Sequence, residues 1–144
     1  MIKECSLENL YELTGLMKQL WSHHSEDELY KESKAKIEQP NMTYFLYFQK
    51  QHAIGFTEVS LRSDYVPGTD TSPVGYLEGI YVEPKYRGKG IAKLLLNASE
   101  NWAKEKRCQE FASDCELPNI GSQNFHIRSG FNEVSRNIFF SKKI

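Results

Sequence analysis

The chain has 144 residues, 40% hydrophobic and 26% charged, which fits one globular domain spanning 1–144. A net charge of -1 argues against a nucleic-acid partner, which would require a clearly basic surface, and no apolar run is long enough to span a bilayer. The N-terminus MIKECSLENL has no signal-peptide core, and Cys5, Cys108 and Cys115 lack zinc-site spacing. A cytoplasmic protein with reduced thiols and no metal is therefore expected.

Residues 1–5 read as a short strand. Leu7, Leu10, Leu13, Met17 and Leu20 recur at mostly helical spacing, so an amphipathic helix is expected over 7–20. Ser25 and Glu28 form a capping-box pair, which starts a second helix near Glu26. Strands follow over 43–49, 53–65 and 74–82, with the 66–72 loop marked by Pro67-Gly68. Gly79, inside the third of these strands, signals a bulge or a close backbone approach.

A helix then runs to about Lys106, with Ile91, Leu94, Leu95, Ala98 and Trp102 as its apolar stripe. Residues 109–114 read as a strand reached through this helix as a parallel crossover. A short helix over 119–129 follows, and one or two strands over 131–142 close the chain. The order β, α, α, β, β, β, α, β, α, β predicts an α+β or mixed α/β fold, with antiparallel hairpins before a parallel crossover.

The segment 85-KYRGKGIAKLLL-96 is a basic, glycine-punctuated turn that opens a helix. Gly88 and Gly90 let the backbone approach a ligand, and the first turn of the helix offers unpaired N–H groups to an anion. Arg87 and Lys89 add positive charge. The turn has neither the Walker pattern nor the third glycine of a dinucleotide fingerprint. Alone it reads equally as an ordinary glycine-containing helix start.

Its surroundings narrow the reading. Arg87-x-x-Gly90-x-Ala92 matches the Arg/Gln-x-x-Gly-x-Gly/Ala motif of the GNAT N-acetyltransferase superfamily. The preceding strand 77-LEGIYV-82, the placement of Pro84 and the later 119-NIGSQNFHIRSGF-131 resemble the same superfamily in the same order. The segments 21-WSHH-24, 65-YVPGTDTSPVGYLEGIYV-82 and 111-FASD-114, and the SKK near the end, resemble the aminoglycoside 6′-N-acetyltransferases over nearly the whole chain.

The resemblance implies acetyl-CoA as donor, the 6′-amine of an aminoglycoside antibiotic as acceptor, and so a role in resistance. Dimers are common in that family, so a homodimer is expected. Backbone amides of Gly88, Lys89, Gly90, Ile91 and Ala92, with Arg87 beside them, would bind the pyrophosphate. Ile80, Tyr81 and Val82 would lend backbone groups to the pantetheine arm, and Asn119 would reach the same region. Asn119 also reads as a helix N-cap, and both roles are compatible.

Amine acetylation needs a proton acceptor for the ammonium, an acidic site for a polycation and help for the leaving thiolate. Glu78 matches a family carboxylate that contacts the aminoglycoside and accepts the amine proton. A structural Glu paired to the neighbouring strand is the competing reading. Asp114 resembles the substrate-binding Asp, against a turn or N-cap Asp. His126 stands where many members carry a Tyr near the coenzyme sulfur, and there it is a candidate acid. A satisfied structural His is the alternative.

Trp21, His23 and Tyr65 match pocket positions whose rings suit sugar faces, with core packing the alternative, above all for Trp21. Residues 138-IFF-140 stand where some relatives carry a Tyr, so no hydroxyl is available there for the leaving group. Two other functions remain open. One is acetylation of a different amine, such as a polyamine or a protein N-terminus. The other is a coenzyme-sensing module without chemistry, against which Glu78 and Asp114 argue.

Overall fold

The computed structural model describes residues 1–144. Its elements are β1 (Ile2–Glu4), α1 (Leu10–Leu20), α2 (Glu26–Ile37), β2 (Met42–Gln49), β3 (His52–Arg62), β4 (Val74–Val82), α3 (Ile91–Glu105), β5 (Phe111–Ser113) and α4 (Ile120–Arg128). Short 3-10 turns at Leu7–Asn9 and Pro84–Tyr86 precede α1 and α3. The five strands form one sheet in the order β1-β2-β3-β4-β5. Neighbours are antiparallel up to β4, and β5 lies parallel to β4 after the α3 crossover. This is the mixed, largely antiparallel α/β sheet anticipated from the element order.

Alternation along β3 sorts the helices onto two faces, because successive strand residues point to opposite sides. Phe56 meets the Trp21 ring edge-on at 5.8 Å, just beyond α1, whereas the Thr57 hydroxyl accepts a 2.9 Å bond from Ser99 of α3. The α1–α2 face carries the larger core, in which Leu10, Leu13, Met17 and Leu29 pack on Tyr44, Leu46 and Phe56. Full burial of each such side chain contributes roughly 1.5–3 kcal/mol. On the opposite face Ile54, Val82, Ile91 and Leu95 cluster near the start of α3, and Val59, Trp102 and Ala103 near its end.

Helix α2 starts where the capping pattern places it, with the Ser25 hydroxyl accepting from the Glu28 N–H at 3.1 Å. Helix α3 is rotated from the expected stripe. Leu94 is exposed, and Ile91, Leu95, Leu96, Ser99, Trp102 and Ala103 face the sheet. Two small residues, Ser99 and Ala103, allow close approach to the strands, a contact that hydrophobicity alone does not mark. Leu7 is likewise exposed in its 3-10 turn, and β3 stops at Arg62 rather than continuing to Tyr65.

The expected closing strands over 131–142 do not form. The chain has no regular structure after α4, and Ile138, Phe139 and Phe140 are each at least 80% exposed. Strand-forming residues need a ladder partner for their backbone groups, and this segment pairs with no strand of its own chain.

Candidate active site

Strand β4 carries the site. Opposite Glu58 and Val59 its register shifts: Gly79 pairs with Glu58 and Leu77 with Val59, leaving Glu78 as the extra residue. Such a bulge places two successive residues on one side and inverts the alternation that follows. Tyr76, Glu78, Gly79 and Tyr81 therefore face the α1–α2 side, and Ile80 and Val82 face α3. Of the two readings of Gly79, a bulge or a close backbone approach, the bulge falls on its neighbour Glu78. Gly79 supplies the close approach instead, since a Cβ there would lie 2.9 Å from two Trp21 ring carbons.

On the α3 side β4 and β5 part company. They pair only through Gly75–Phe111, Tyr76–Ala112 and Leu77–Ser113, so Glu78 to Val82 have no strand partner on that edge. A cleft of about 700 Å³ opens there, lined by Ile80, Val82, Arg87, Gly88, Gly90, Ile91 and Ala92. Alongside Glu100, Ser129 and Gly130, it is completed by Tyr86, Lys93, Leu96 and Asn97 around α3 and by Phe125 and Arg128 of α4. None of the last six was singled out from sequence, because their shared location depends on how α4 docks beside α3.

Gly88 and Gly90 have φ of 80° and 81°, and a Cβ on either would meet nothing within 4 Å. The backbone of the turn thus faces open space at the helix start, where donors and dipole favour an anion. Arg87 ties the turn down, its Nε donating to the Val82 carbonyl at 2.7 Å. Three of the residues expected here are not among those lining the cleft, although the backbone of Tyr81 and Lys89 runs between residues that are. Tyr81 points to the other face and donates to Gln19 Oε1 at 2.9 Å. Lys89 is exposed outside the cleft lining, and Asn119 caps α4 by accepting from the Ser122 N–H at 3.1 Å.

The α1–α2 face gathers the carboxylates. Glu78 accepts from Ser60 Oγ at 3.0 Å and is gripped by Arg62, whose Nε and terminal nitrogen lie 2.9 and 2.6 Å from Oε1. The pairing with the neighbouring strand weighed for Glu78 is thus present. The Arg62 guanidinium also stacks 3.4 Å from the centre of the Tyr76 ring, and the Tyr76 hydroxyl donates to Asp114. Burial raises the Tyr76 pKa well above the usual phenol value, with the Asp114 hydrogen bond adding to it. One connected network thus joins Glu78 to Asp114. Arg62 and Tyr76 were missed from sequence because only strand register brings them together.

The remaining candidates are dispersed. His126 makes two close ring contacts, Nδ1 donating to the Ser122 carbonyl at 2.7 Å and Nε2 lying 2.8 Å from Ser113 Oγ. It is not part of the cleft lining, and these contacts bridge α4 and β5. Trp21 is half-buried against Phe56 and Gly79. His23 is exposed and packs on His24, and Tyr65 is 83% exposed at the edge of the 66–72 loop. Glu110 holds that loop, accepting from the backbone N–H groups of Asp70 and Thr71 at 2.9 and 2.8 Å. No group of three or more His, Cys, Asp or Glu side chains is placed to hold a metal ion.

The model of the acetyltransferase (GNAT) family matches residues 7–131. An aminoglycoside N(6′)-acetyltransferase type 1 from Salmonella enteritidis is 39% identical over 142 residues, covering 99% of this chain and 98% of the relative. One from Acinetobacter haemolyticus is 41% identical over 143 residues, with 99% and 98% covered.

The chain belongs to the GNAT family, among its aminoglycoside N(6′)-acetyltransferases. Its fold superposes on AAC(6′)-Iy, solved with the bisubstrate analogue CoA-S-monomethyl-acetylneamine, with a TM-score of 0.96 at 38% identity, covering 100% of this chain and 98% of that one. For an N(6′)-acetyltransferase, the two faces of β4 are complementary. The glycine-turn cleft runs along one side and a carboxylate network along the other, separated by the single peptide between Gly79 and Ile80.

Proposed function

We propose that this protein transfers the acetyl group of acetyl-CoA to the 6′-amine of an aminoglycoside, acting in the cytoplasm as a homodimer of single 144-residue N-acetyltransferase domains. The observation that carries this reading is the meeting of an anion-binding cleft and a carboxylate network at one bulge in β4. The donor side fits coenzyme A. Its pyrophosphate has the amides of 88–92 and the open space beside Gly88 and Gly90, with the cations of Arg87 and Arg128 in the cleft wall. The extended pantetheine amides take the place of the strand that Ile80, Tyr81 and Val82 lack, as added strands do at an open sheet edge.

Bound there, acetyl-CoA supplies an activated thioester. The chain supplies position and charge. Glu78 and Asp114 draw in the ammonium groups, and Glu78 accepts the proton the 6′-nitrogen must lose before it attacks, directly or through water. Trp21, His23 and Tyr65 line the approach of the sugar rings. His126, through Ser113, holds the strand that carries Asp114 and is assigned a positioning role. Asn119 keeps α4 at the cleft wall by capping it. The homodimer reading rests on the apolar 138-IFF-140 segment, whose rings are exposed and whose strand-forming backbone has no partner within the chain.

The test is acetyl-CoA-dependent acylation of kanamycin and tobramycin by the purified protein, with spermidine and an N-terminal peptide as counter-substrates. Turnover is expected with the 6′-amino compounds and little with a 6′-hydroxyl analogue. Folded protein that binds acetyl-CoA yet acylates no 6′-amino aminoglycoside would sink the proposal.

A further inference from the structure

The carboxylate that is to receive a substrate ammonium already holds a cation. Arg62 is the last residue of β3, with its side chain 43% exposed, and its guanidinium makes two kinds of contact at once. It forks onto Glu78, with the terminal nitrogen 2.6 Å from Oε1 and 2.8 Å from Oε2. Its central carbon also lies over the Tyr76 ring, 3.4 Å from the ring centre. A carboxylate in front and an aromatic face beneath are the features that bind an alkylammonium. Tyr76 in turn donates to Asp114, so its ring links the cation to a second carboxylate.

We propose that Arg62 is a resident cation in the ammonium seat, and that an acceptor must displace it to bind. The inference rests on the amine-acetylation reading above. Its consequence is selectivity by charge number. With Arg62 seated, Glu78, Asp114 and Arg62 together carry one net negative charge. Once the guanidinium swings into solvent they carry two. A monoamine replaces one cation by another and gains little. A polyamine sugar replaces it and satisfies Asp114 with a second ammonium, so only multiply charged acceptors evict Arg62 efficiently. The half-exposed side chain at a strand end has room to leave without disturbing the sheet.

Kinetics of Arg62→Gln and Arg62→Ala test this once wild-type turnover of kanamycin is established. Absence of that turnover would defeat the functional reading rather than this one. Removing the resident cation is expected to lower the kanamycin KM about tenfold, the order expected for relief of one competing charge at a part-exposed site. It is also expected to bring methyl 6-amino-6-deoxyglucoside, a monoamine, into the substrate range. Methylguanidinium at millimolar concentration is then expected to inhibit Arg62→Ala competitively with kanamycin and to leave the wild type unaffected. A raised KM, a lowered kcat at unchanged KM, or no change in either would overturn the proposal. So would activation of Arg62→Ala by methylguanidinium, the sign expected if Arg62 merely props Glu78. The guanidinium arm compares one folded variant with and without the additive, so it stands even if the substitution costs stability.

Discussion

Trp21 and Gly79 are in direct contact across the acidic face of the sheet: a methyl group on residue 79 would lie 2.9 Å from Cη2 and Cζ2 of the indole. The glycine is there for closeness to the ring, and the ring in turn packs on Phe56. Gly79→Ala forces the indole to shift at the bulge that presents Glu78. Overpacking of this kind costs about 1–3 kcal/mol. A fall in Tm of several degrees is expected, with a raised KM for aminoglycoside and an unaltered Kd for acetyl-CoA, measured by thermal melts, steady-state kinetics and calorimetry.

Glu78→Gln keeps the shape of the side chain but removes the proposed proton acceptor and half of the Arg62 ion pair. Turnover is expected to fall about 10²-fold, the usual scale for a positioned acid–base group. Binding of acetyl-CoA on the opposite side of β4 is expected to stay within twofold, about the error of the measurement. Undiminished turnover would remove Glu78 from the relay.

Gly90→Val tests the anion turn. Gly90 has φ of 81°, a conformation that costs an L-residue roughly 1–2 kcal/mol, and the added side chain projects into the open space assigned to the pyrophosphate. Calorimetry is expected to show acetyl-CoA affinity reduced at least about tenfold, since backbone donors and ligand can no longer meet. Unchanged affinity would count against the placement of the coenzyme.

Glu58 makes stability depend on pH. It is 6% exposed at the base of the acidic face, and burial raises its pKa, with Lys36 at 3.4 Å drawing it partly back and Glu78 adding to the rise. The Tyr44 hydroxyl lies against it, outside hydrogen-bond geometry. A carboxyl whose pKa is higher folded than unfolded binds its proton more tightly when folded. Its contribution is complete below the ordinary value of 4.5 and is lost as pH rises through the folded value. Tm is therefore expected to fall from pH 5 towards pH 8 by less in Glu58→Gln than in the wild type. Parallel curves would show that Glu58 does not set the trend.

Deletion of residues 138–144 removes Ile138, Phe139 and Phe140, which are exposed in the single chain. Sedimentation is expected to report a dimer for the full chain and a monomer for the truncated one. A full chain that sediments as a monomer at all concentrations would exclude the proposed assembly.

Most elements were legible because their determinants are local. The Ser25–Glu28 cap and the aromatic run of β2 mark their own structure, and the basic turn marks a helix start. The closing strand was misread for the opposite reason. IFF has strand propensity, but a strand exists only with a partner, and the chain offers none. The site divides the same way. Glu78 and Asp114 stand out by residue type and motif, whereas Arg62 and Tyr76 belong to the site only because Tyr76 pairs with Ser60, two residues before Arg62.

The sequence by itself determined the family, the glycine turn that opens α3 and the identity of the carboxylates, since these lie in contiguous segments whose chemistry is readable residue by residue. The tertiary structure alone decided which side of β4 each feature occupies. One extra residue at Glu78 reverses the alternation beyond it, turning Ile80 and Val82 to the cleft while Glu78 stays with Trp21, Tyr76 and Arg62. Strand periodicity is two, so a bulge whose position only the pairing register fixes moves every later side chain to the opposite face.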